Sequence, residues 1–137
     1  MKTLFIFGKA YSDFHDFNLI KKRNNEIWAT GTDPRDGADK YFEFHGIEYK
    51  NRKMIRDVDF EVYVLSKILP LNNSISLMII QAVIWGYKDI CVVGCPMNGN
   101  KEMEKEKPAL AMVIGFCLGK GINIIWRDGP EKKFYLD

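Results

Sequence analysis

Hydrophobic positions along the chain form short runs that are separated by polar, turn-forming segments. Two of these runs, at residues 3–8 and 89–94, are almost continuously apolar, which is typical of strands in the interior of a parallel sheet. The strands predicted in this way span residues 3–8, 26–30, 40–45, 60–65, 89–94 and 122–126. Residues 46–60 are charged and show no clean period, so we predict a loop there with one helical turn at most.

Apolar residues at helical spacing predict helices over residues 17–23, 74–86 and 108–118. The second helix is apolar on most sides, with Asn73 or Ser74 as its N-cap and Gly86 near its end. Pro108 suits the first turn of the third helix, because proline lacks the N–H that a first turn leaves unpaired. The core positions predicted on these helices are Met78, Trp85 and Phe116.

The alternation of strands and helices is that of an α/β domain. We predict a single domain over residues 1–137, a Rossmann-like three-layer sandwich with a mainly parallel sheet of five or six strands and helices on both faces. Ligands of such folds bind at the carboxyl ends of the strands. Candidate binding residues are therefore sought in the segments that follow the strands.

The amino-acid composition limits the kinds of molecule that this protein is expected to bind. Of the 137 residues, 47% are hydrophobic and 28% are charged, and the formal net charge is +2. The hydrophobic fraction excludes intrinsic disorder, and the balanced charge indicates neither a nucleic-acid surface nor a membrane surface. We expect a small-molecule partner, and a homo-oligomer through a sheet edge or a helix face stays open.

The cysteines and the apolar run lengths bear on the compartment. Cys91, Cys95 and Cys117 form no C-x-x-C pair, and the chain has only two histidines, so neither a zinc site nor a disulfide scaffold is predicted. The cysteines are expected in the core, with Cys95 alone at the edge of a site. No run approaches the roughly 20 apolar residues of a membrane span, and residues 2–8 are too short for a secretory segment, so we expect a cytoplasmic protein.

The turn after the first strand is the first candidate for an anion site. Backbone N–H groups at a strand-to-helix turn and the positive end of the helix dipole both favour a phosphate, to which Lys9 and Ser12 could add contacts. The alternative is an ordinary turn in which Gly8 only permits the bend.

A second candidate is the polar cluster at the start of the helix over residues 74–86. Asn72, Asn73, Ser74 and Ser76 offer hydroxyl and amide groups at a second helix N-terminus, although such residues also serve simply as caps. If the cluster binds phosphate together with the first turn, these side chains should converge with Gly8 at one end of the sheet.

Other positions carry two interpretations each. Asp33 follows the second strand, where an acid could hold ribose hydroxyls, but it also lies in a turn-forming segment. His45, with Glu43 and Asp39, could supply acid–base chemistry or could only position a ligand. Trp28 and Tyr41 could stack on a ring or pack on the sheet. The charged segment 101–107 is predicted as a solvated flap or as a lid. The ligand-binding residues predicted from all of these patterns are Gly8, Lys9, Ser12, Asp33, His45, Asn73, Ser74, Ser76, Gly94 and Cys95.

Several local patterns occur in the order seen in one known group of proteins. They are residues 7–12 (FGKAYS), 26–30 (EIWAT), 39–45 (DKYFEFH), 73–76 (NSIS), 86–94 (GYKDICVVG) and 107–115 (KPALAMVIG). Together they resemble the small Rossmann-like proteins found mostly in bacteriophages, many of which have no assigned activity. That group is similar to the archaeal 6-hydroxymethylpterin diphosphokinase-type domain and, more remotely, to one sialyltransferase family.

The resemblance implies one of two functions in the host-cell cytoplasm. The first is a phage-type protein that binds a phosphorylated, nucleotide-derived small molecule, for example to sequester a host signal. The alternative is a transferase that acts on a nucleotide, nucleotide-sugar or pterin-like substrate. Pro96 stands where the family commonly has an aspartate, and only Gly8 and Ser12 match its glycine-rich turn, so binding is favoured over transfer.

Overall fold

The computed structural model describes residues 3–8, 14–23, 25–48, 51–71, 73–94 and 101–127, and for residues 14–16, 101–105 and 127 it describes the backbone. The strands are β1 (Leu4–Phe7), β2 (Glu26–Thr30), β3 (Lys40–Phe42), β4 (Met54–Ile55), β5 (Asp89–Val93) and β6 (Asn123–Arg127). The helices are α1 (Phe14–Lys22), α2 (Phe60–Leu65), α3 (Ser74–Ile84) and α4 (Lys101–Gly119).

The strands form one sheet in the order β4-β3-β2-β1-β5-β6, and every pair is parallel. The chain builds outward from β1 to β4 on one side and then crosses to β5 and β6 on the other. The point at which the strand order reverses therefore lies between β1 and β5. The predicted α/β sandwich with a mainly parallel sheet of five or six strands is confirmed.

Side chains alternate between two cores along β1. Leu4 and Ile6 join the larger core, to which α2, α3 and α4 contribute, whereas Phe7 packs with Phe17 of α1 in a smaller core on the opposite face. The Phe7 and Phe17 rings meet edge to face, with centroids 5.2 Å apart. Helices thus cover both faces of the sheet, as predicted, and the larger core lies against α3.

Two sequence predictions of element type are wrong. Residues 60–65, predicted as a strand, form α2, because the edge next to β3 is taken by β4 and the segment packs on α3 instead, with Val62 buried. Its β-branched and aromatic residues favour strands only where a sheet can receive them. The predicted loop at residues 46–60 contains the short strand β4, which pairs with β3.

Helix α4 begins at Lys101, so Pro108 lies inside it rather than in its first turn. The segment predicted as a flap or lid is therefore the start of a helix. Its Lys, Glu and Met residues are good helix formers, and the helix continues through Pro108 although proline lacks a backbone donor and its ring crowds the carbonyl of the preceding turn. Glu106, the last acidic residue of that segment, accepts a 3.4 Å hydrogen bond from Asn73 Nδ2.

Two of the three predicted core residues lie in the core, and the third lies at its rim. Met78 is fully buried and Phe116 is partly buried, but Trp85 is 41% exposed, because it caps the end of α3 and lies at the rim of the core. Its indole packs edge to face on Trp28 and donates to Asp59 Oδ2 at 2.8 Å.

The remaining ring and thiol positions are structural. Trp28 is fully buried and Tyr41 nearly so. Of the two interpretations of these rings, packing on the sheet is therefore favoured over stacking on a ligand ring. Cys91 and Cys117 are buried core residues, and burial raises the pKa of the Cys117 thiol to about 11. No helix in the described part of the chain is long and apolar enough to cross a membrane.

Candidate functional site

The carboxyl edge of the sheet brings together residues that are far apart in sequence. Gly8 and Gly94 follow the neighbouring strands β1 and β5, and Gly8 N–H donates to Val93 O at 2.8 Å. Gly94 has φ +75°, a conformation that favours glycine. These two glycines therefore border the crevice at the point where the strand order reverses, which is where ligands of such sheets bind.

Helix α3 begins at this same edge, since it precedes the parallel strand β5 and must run opposite to it. Asn73 is its N-cap: Oδ1 accepts the Ser76 N–H at 2.8 Å, and the Ser76 hydroxyl lies against the Asn73 backbone, completing a capping box. The prediction of Asn73 as a cap is confirmed. Asn73 and Ser76 are thus engaged with each other, and the N–H groups of Ser74 and Ile75 remain without a partner inside the helix.

Ser74 points instead toward the end of β3. Its Oγ lies 3.4 Å from His45 Nε2, a contact between two residues that were predicted independently from distant parts of the sequence. Both side chains border a cavity of about 130 Å³. The residues that line this cavity are Thr30, Thr32, Phe42, Glu43, Phe44, His45, Ile47 and Ser74.

Glu43 forms one wall of this cavity and is only 4% exposed. Its Oε1 accepts the backbone N–H of His45 at 2.6 Å, and its own N–H donates to Ile55 O at 2.9 Å, which continues the β3–β4 pairing beyond the strands. Glu43 therefore contacts the backbone of His45 rather than its imidazole. The two side chains line the same cavity, but their contact is between the carboxylate and the backbone. Acid–base chemistry by this pair stays a prediction.

Asp33 has a different setting. Its carboxylate is buried and is held by Arg35, with Oδ1 2.8 Å from Nε and Oδ2 2.6 Å from Nη2, while Nη2 also donates to Gly8 O at 3.2 Å. The Arg35 N–H adds a 2.9 Å bond to Oδ1, which closes a turn. The Asp33 carboxylate thus stabilises the turn that contains Arg35, and Asp33 does not line the cavity.

Arg52 supports the same turn from outside. Its Nη1 donates to the carbonyl oxygens of Gly31 and Asp33, its Nη2 pairs with Asp36 at 2.9 Å, and its guanidinium lies 4.2 Å from the Tyr41 ring centroid. The sequence predicted neither arginine. Arg35 carries a signal, an arginine two residues after an acid in a turn, whereas Arg52 lies in a segment with no pattern at all.

Of the predicted ligand-binding residues, Lys9, Ser12 and Cys95 lie outside the described residues, as does Asn72. Among the residues that the structure does describe, no group of three or more His, Cys, Asp or Glu side chains is arranged to hold a metal ion.

A second, more voluminous cavity lies at the other edge of the sheet. A groove of about 980 Å³ is lined mainly by apolar side chains of α2, α3 and α4 and by Lys88 and Lys120, close to where β5 and β6 begin. It lies at the amino edge of the sheet and is lined by none of the predicted ligand-binding residues, so the smaller cavity at the carboxyl edge is the candidate site.

Comparison of the chain with protein-family models, with curated proteins and with solved structures finds no match. Function is therefore inferred from the residues of this chain alone.

Proposed function

We propose that this protein binds a phosphorylated, nucleotide-derived small molecule at the carboxyl edge of its sheet. The observation that carries the proposal is the approach of Ser74 Oγ to His45 Nε2, 3.4 Å apart, beside the 130 Å³ cavity. An imidazole, a hydroxyl and the positive end of α3 meet there, and each of them suits an anionic oxygen.

The cap of α3 leaves room for this role. Because Asn73 already accepts the Ser76 N–H, the helix is capped without help from Ser74. The Ser74 hydroxyl and the first-turn N–H groups are then available to a phosphate, while Thr30 and Thr32 line another part of the cavity. A phosphate at Ser74 would place the rest of the ligand along the edge that Gly8 and Gly94 border.

The test compares adenosine and guanosine with their 5′-monophosphates by thermal unfolding. A ligand at 100 times its Kd stabilises the folded state by about 2.7 kcal/mol, which raises Tm by several degrees. We expect this shift from a monophosphate and not from its nucleoside. Equal shifts from both would show that the phosphate is not recognised.

Ser74→Asp places a negative charge against the bound anion and should abolish the shift. It should preserve the fold, because an acid in the first turn of a helix is favourable. Ser66→Asp, which adds the same charge at the exposed end of α2, is the matched control and should bind as the wild type does. A Ser74→Asp protein that binds the monophosphate normally would move the site elsewhere.

The second candidate is a transferase acting on a nucleotide, nucleotide-sugar or pterin-like substrate. One observation favours it: the imidazole of His45 and the carboxylate of Glu43 face the same cavity, so a substrate hydroxyl there would meet a general base. Native mass spectrometry of protein purified from cells separates the two proposals. An intact ligand supports binding, whereas turnover of offered nucleotides, followed by phosphorus NMR, supports transfer.

A further inference from the structure

Glu43 is a buried carboxylate to which the described part of the chain supplies no counter-charge. It is 4% exposed, its Oε1 accepts one backbone N–H, and the ion pairs among the described residues do not include it. Buried charges in proteins are ordinarily paired or fully hydrogen-bonded, because removal from water is costly otherwise. The second oxygen, Oε2, forms no hydrogen bond or ion pair with a described residue.

The neighbouring backbone is shaped around that oxygen. A Cβ at Gly31 would lie 3.1 Å from Glu43 Oε2 and 3.1 Å from Met54 Sδ, closer than nine in ten real contacts of a Cβ atom. The absence of a side chain at Gly31 thus provides the space in which the carboxylate sits. Glu43 is accommodated there by the fold rather than displaced toward solvent.

A second polar group in the same cavity lacks a partner. The hydroxyl oxygen of Thr30 is buried, and no described residue forms a hydrogen bond with it. Thr30 lines the cavity together with Glu43. Because buried hydroxyls are nearly always satisfied, this hydroxyl beside a carboxylate without a counter-charge indicates a partner that the described residues do not supply.

The size and the walls of the cavity limit what that can be. Its volume of about 130 Å³ compares with about 30 Å³ for a water molecule in the liquid, so it admits a small planar group. Phe42, Phe44 and Ile47 also line the cavity, and their apolar surface suits the faces of such a group.

We infer that this cavity binds a planar group with a fork of N–H donors, of the amidine or guanidine type, through the carboxylate of Glu43. Carboxylates accept such forks bidentately, and these charge-assisted bonds are the strong ones. The hydroxyl of Thr30 accepts a further N–H from the same group. The inference rests on the proposed function, since Ser74 and His45, which would hold the phosphate, line the same cavity, and this group would lie beside the phosphate in the same ligand.

Acetamidinium is the probe, and neutral acetamide, which has nearly the same shape, is its control. Binding is followed by amide NMR shifts at Thr30 and His45. We expect acetamidinium to bind at least tenfold more tightly than acetamide, and Glu43→Gln to weaken acetamidinium binding at least tenfold. Glu61→Gln, the same change at an exposed position on α2, should leave it unchanged.

The unliganded variants supply an independent readout. Glu43→Gln keeps the oxygen that accepts the His45 N–H and removes an unpaired charge, so its Tm should equal or exceed that of the wild type. Thr30→Val removes the unsatisfied hydroxyl with little change in shape, and it should bind acetamidinium more weakly without a lower Tm. These two variants show whether a loss of binding follows from a loss of structure.

Three results would overturn the inference: acetamide binding as tightly as acetamidinium, Glu43→Gln binding acetamidinium as the wild type does, or a lower Tm for Glu43→Gln, since the chain would then supply the partner itself. Mg²⁺ that shifts the same resonances in a Glu43-dependent way would indicate a cation site and would also overturn it. Titration of 5′-AMP on the same samples keeps the two proposals distinct. An AMP response without an acetamidinium response defeats only this inference, and the reverse defeats only the proposed function.

Discussion

Two acidic side chains are buried at the carboxyl ends of neighbouring strands, and their surroundings differ. Asp33, after β2, is 1% exposed and its carboxylate is bound by the guanidinium of Arg35, which is itself fully buried. Glu43, after β3, is 4% exposed and receives one backbone N–H. The fold therefore neutralises one buried carboxylate from within and leaves the other facing a cavity.

The same contrast appears at the start of α3. Asn73 and Ser76 satisfy each other in the capping box, whereas the Ser74 hydroxyl has only a long contact with His45. At both places, one polar group is fully paired within the chain and stabilises the local backbone: Asp33 in its turn, and Asn73 at the start of α3. A second polar group nearby, Glu43 or Ser74, faces the cavity. The proposed binding residues are therefore distinguished by the state of their hydrogen bonds and not by burial alone.

The largest effect is expected from removing the internal counter-charge. Arg35→Met leaves Asp33 buried without its guanidinium, and breaking a buried pair in this way typically costs about 3–5 kcal/mol. The loss of packing of Arg35 on the Phe7 ring, 4.8 Å away, acts in the same direction. The free energy of unfolding in urea gives the measurement. A cost below about 1 kcal/mol would mean that the pair contributes little, and the comparison with Glu43 would fail.

The sequence could predict the sheet but not this pairing. Residues 89–94 are almost continuously apolar, so a buried parallel strand follows from them directly, and β5 is where it was expected. Residues 60–65 have a strand-like composition, yet they form α2, because which neighbour a segment packs against is decided by the rest of the fold. Pro108 likewise gave the wrong start for α4.

Prediction of the site was limited for a related reason. His45 and Ser74 could be nominated separately because strand ends and helix starts meet at one edge, and they do lie together. The role of Asp33 depended on whether a cation reached it, and no sequence pattern reports that for a side chain such as Arg35. Glu43 was visible as an acid, but its isolation from counter-charges is a property of the folded chain only.

The same chemical change at the two acids should have opposite signs. Asp33→Asn removes the charge that Arg35 neutralises and should lower the free energy of unfolding by about 2–4 kcal/mol, because a buried guanidinium then loses its anion. Glu43→Gln should raise it by up to about 1 kcal/mol, since an unpaired buried charge disappears while the His45 N–H keeps its acceptor. Urea unfolding of both variants measures the pair. If both variants lost the same free energy of unfolding, the two carboxylates would not differ in the way that their surroundings indicate.

Closing the space beside Glu43 should have an intermediate effect. Gly31→Ala forces a Cβ to within 3.1 Å of Oε2 and of Met54 Sδ, and overpacking of this kind costs about 1–3 kcal/mol. Gly115→Ala in α4 is the matched control, because nothing lies within 4 Å of its added Cβ, and it should stabilise the helix by roughly 0.5–1 kcal/mol. Thermal unfolding checks both signs. A neutral Gly31→Ala would show that the carboxylate can move, so its position would not be set by the fold.

The smallest effects concern the two polar side chains at the start of α3. Asn73→Ala removes the acceptor of the Ser76 N–H and should cost about 1 kcal/mol, the usual value of an N-cap. Ser74→Ala lies at the first helical position and should change stability by less than about 0.5 kcal/mol, because no cap depends on its hydroxyl and alanine favours helices. Affinity for 5′-AMP should follow the other order, with Ser74→Ala weaker than the wild type and Asn73→Ala nearly unchanged when measured well below its Tm. If Asn73→Ala lost affinity while Ser74→Ala kept it, the paired group would be the binding one, and the assignment made from hydrogen-bond state would be reversed.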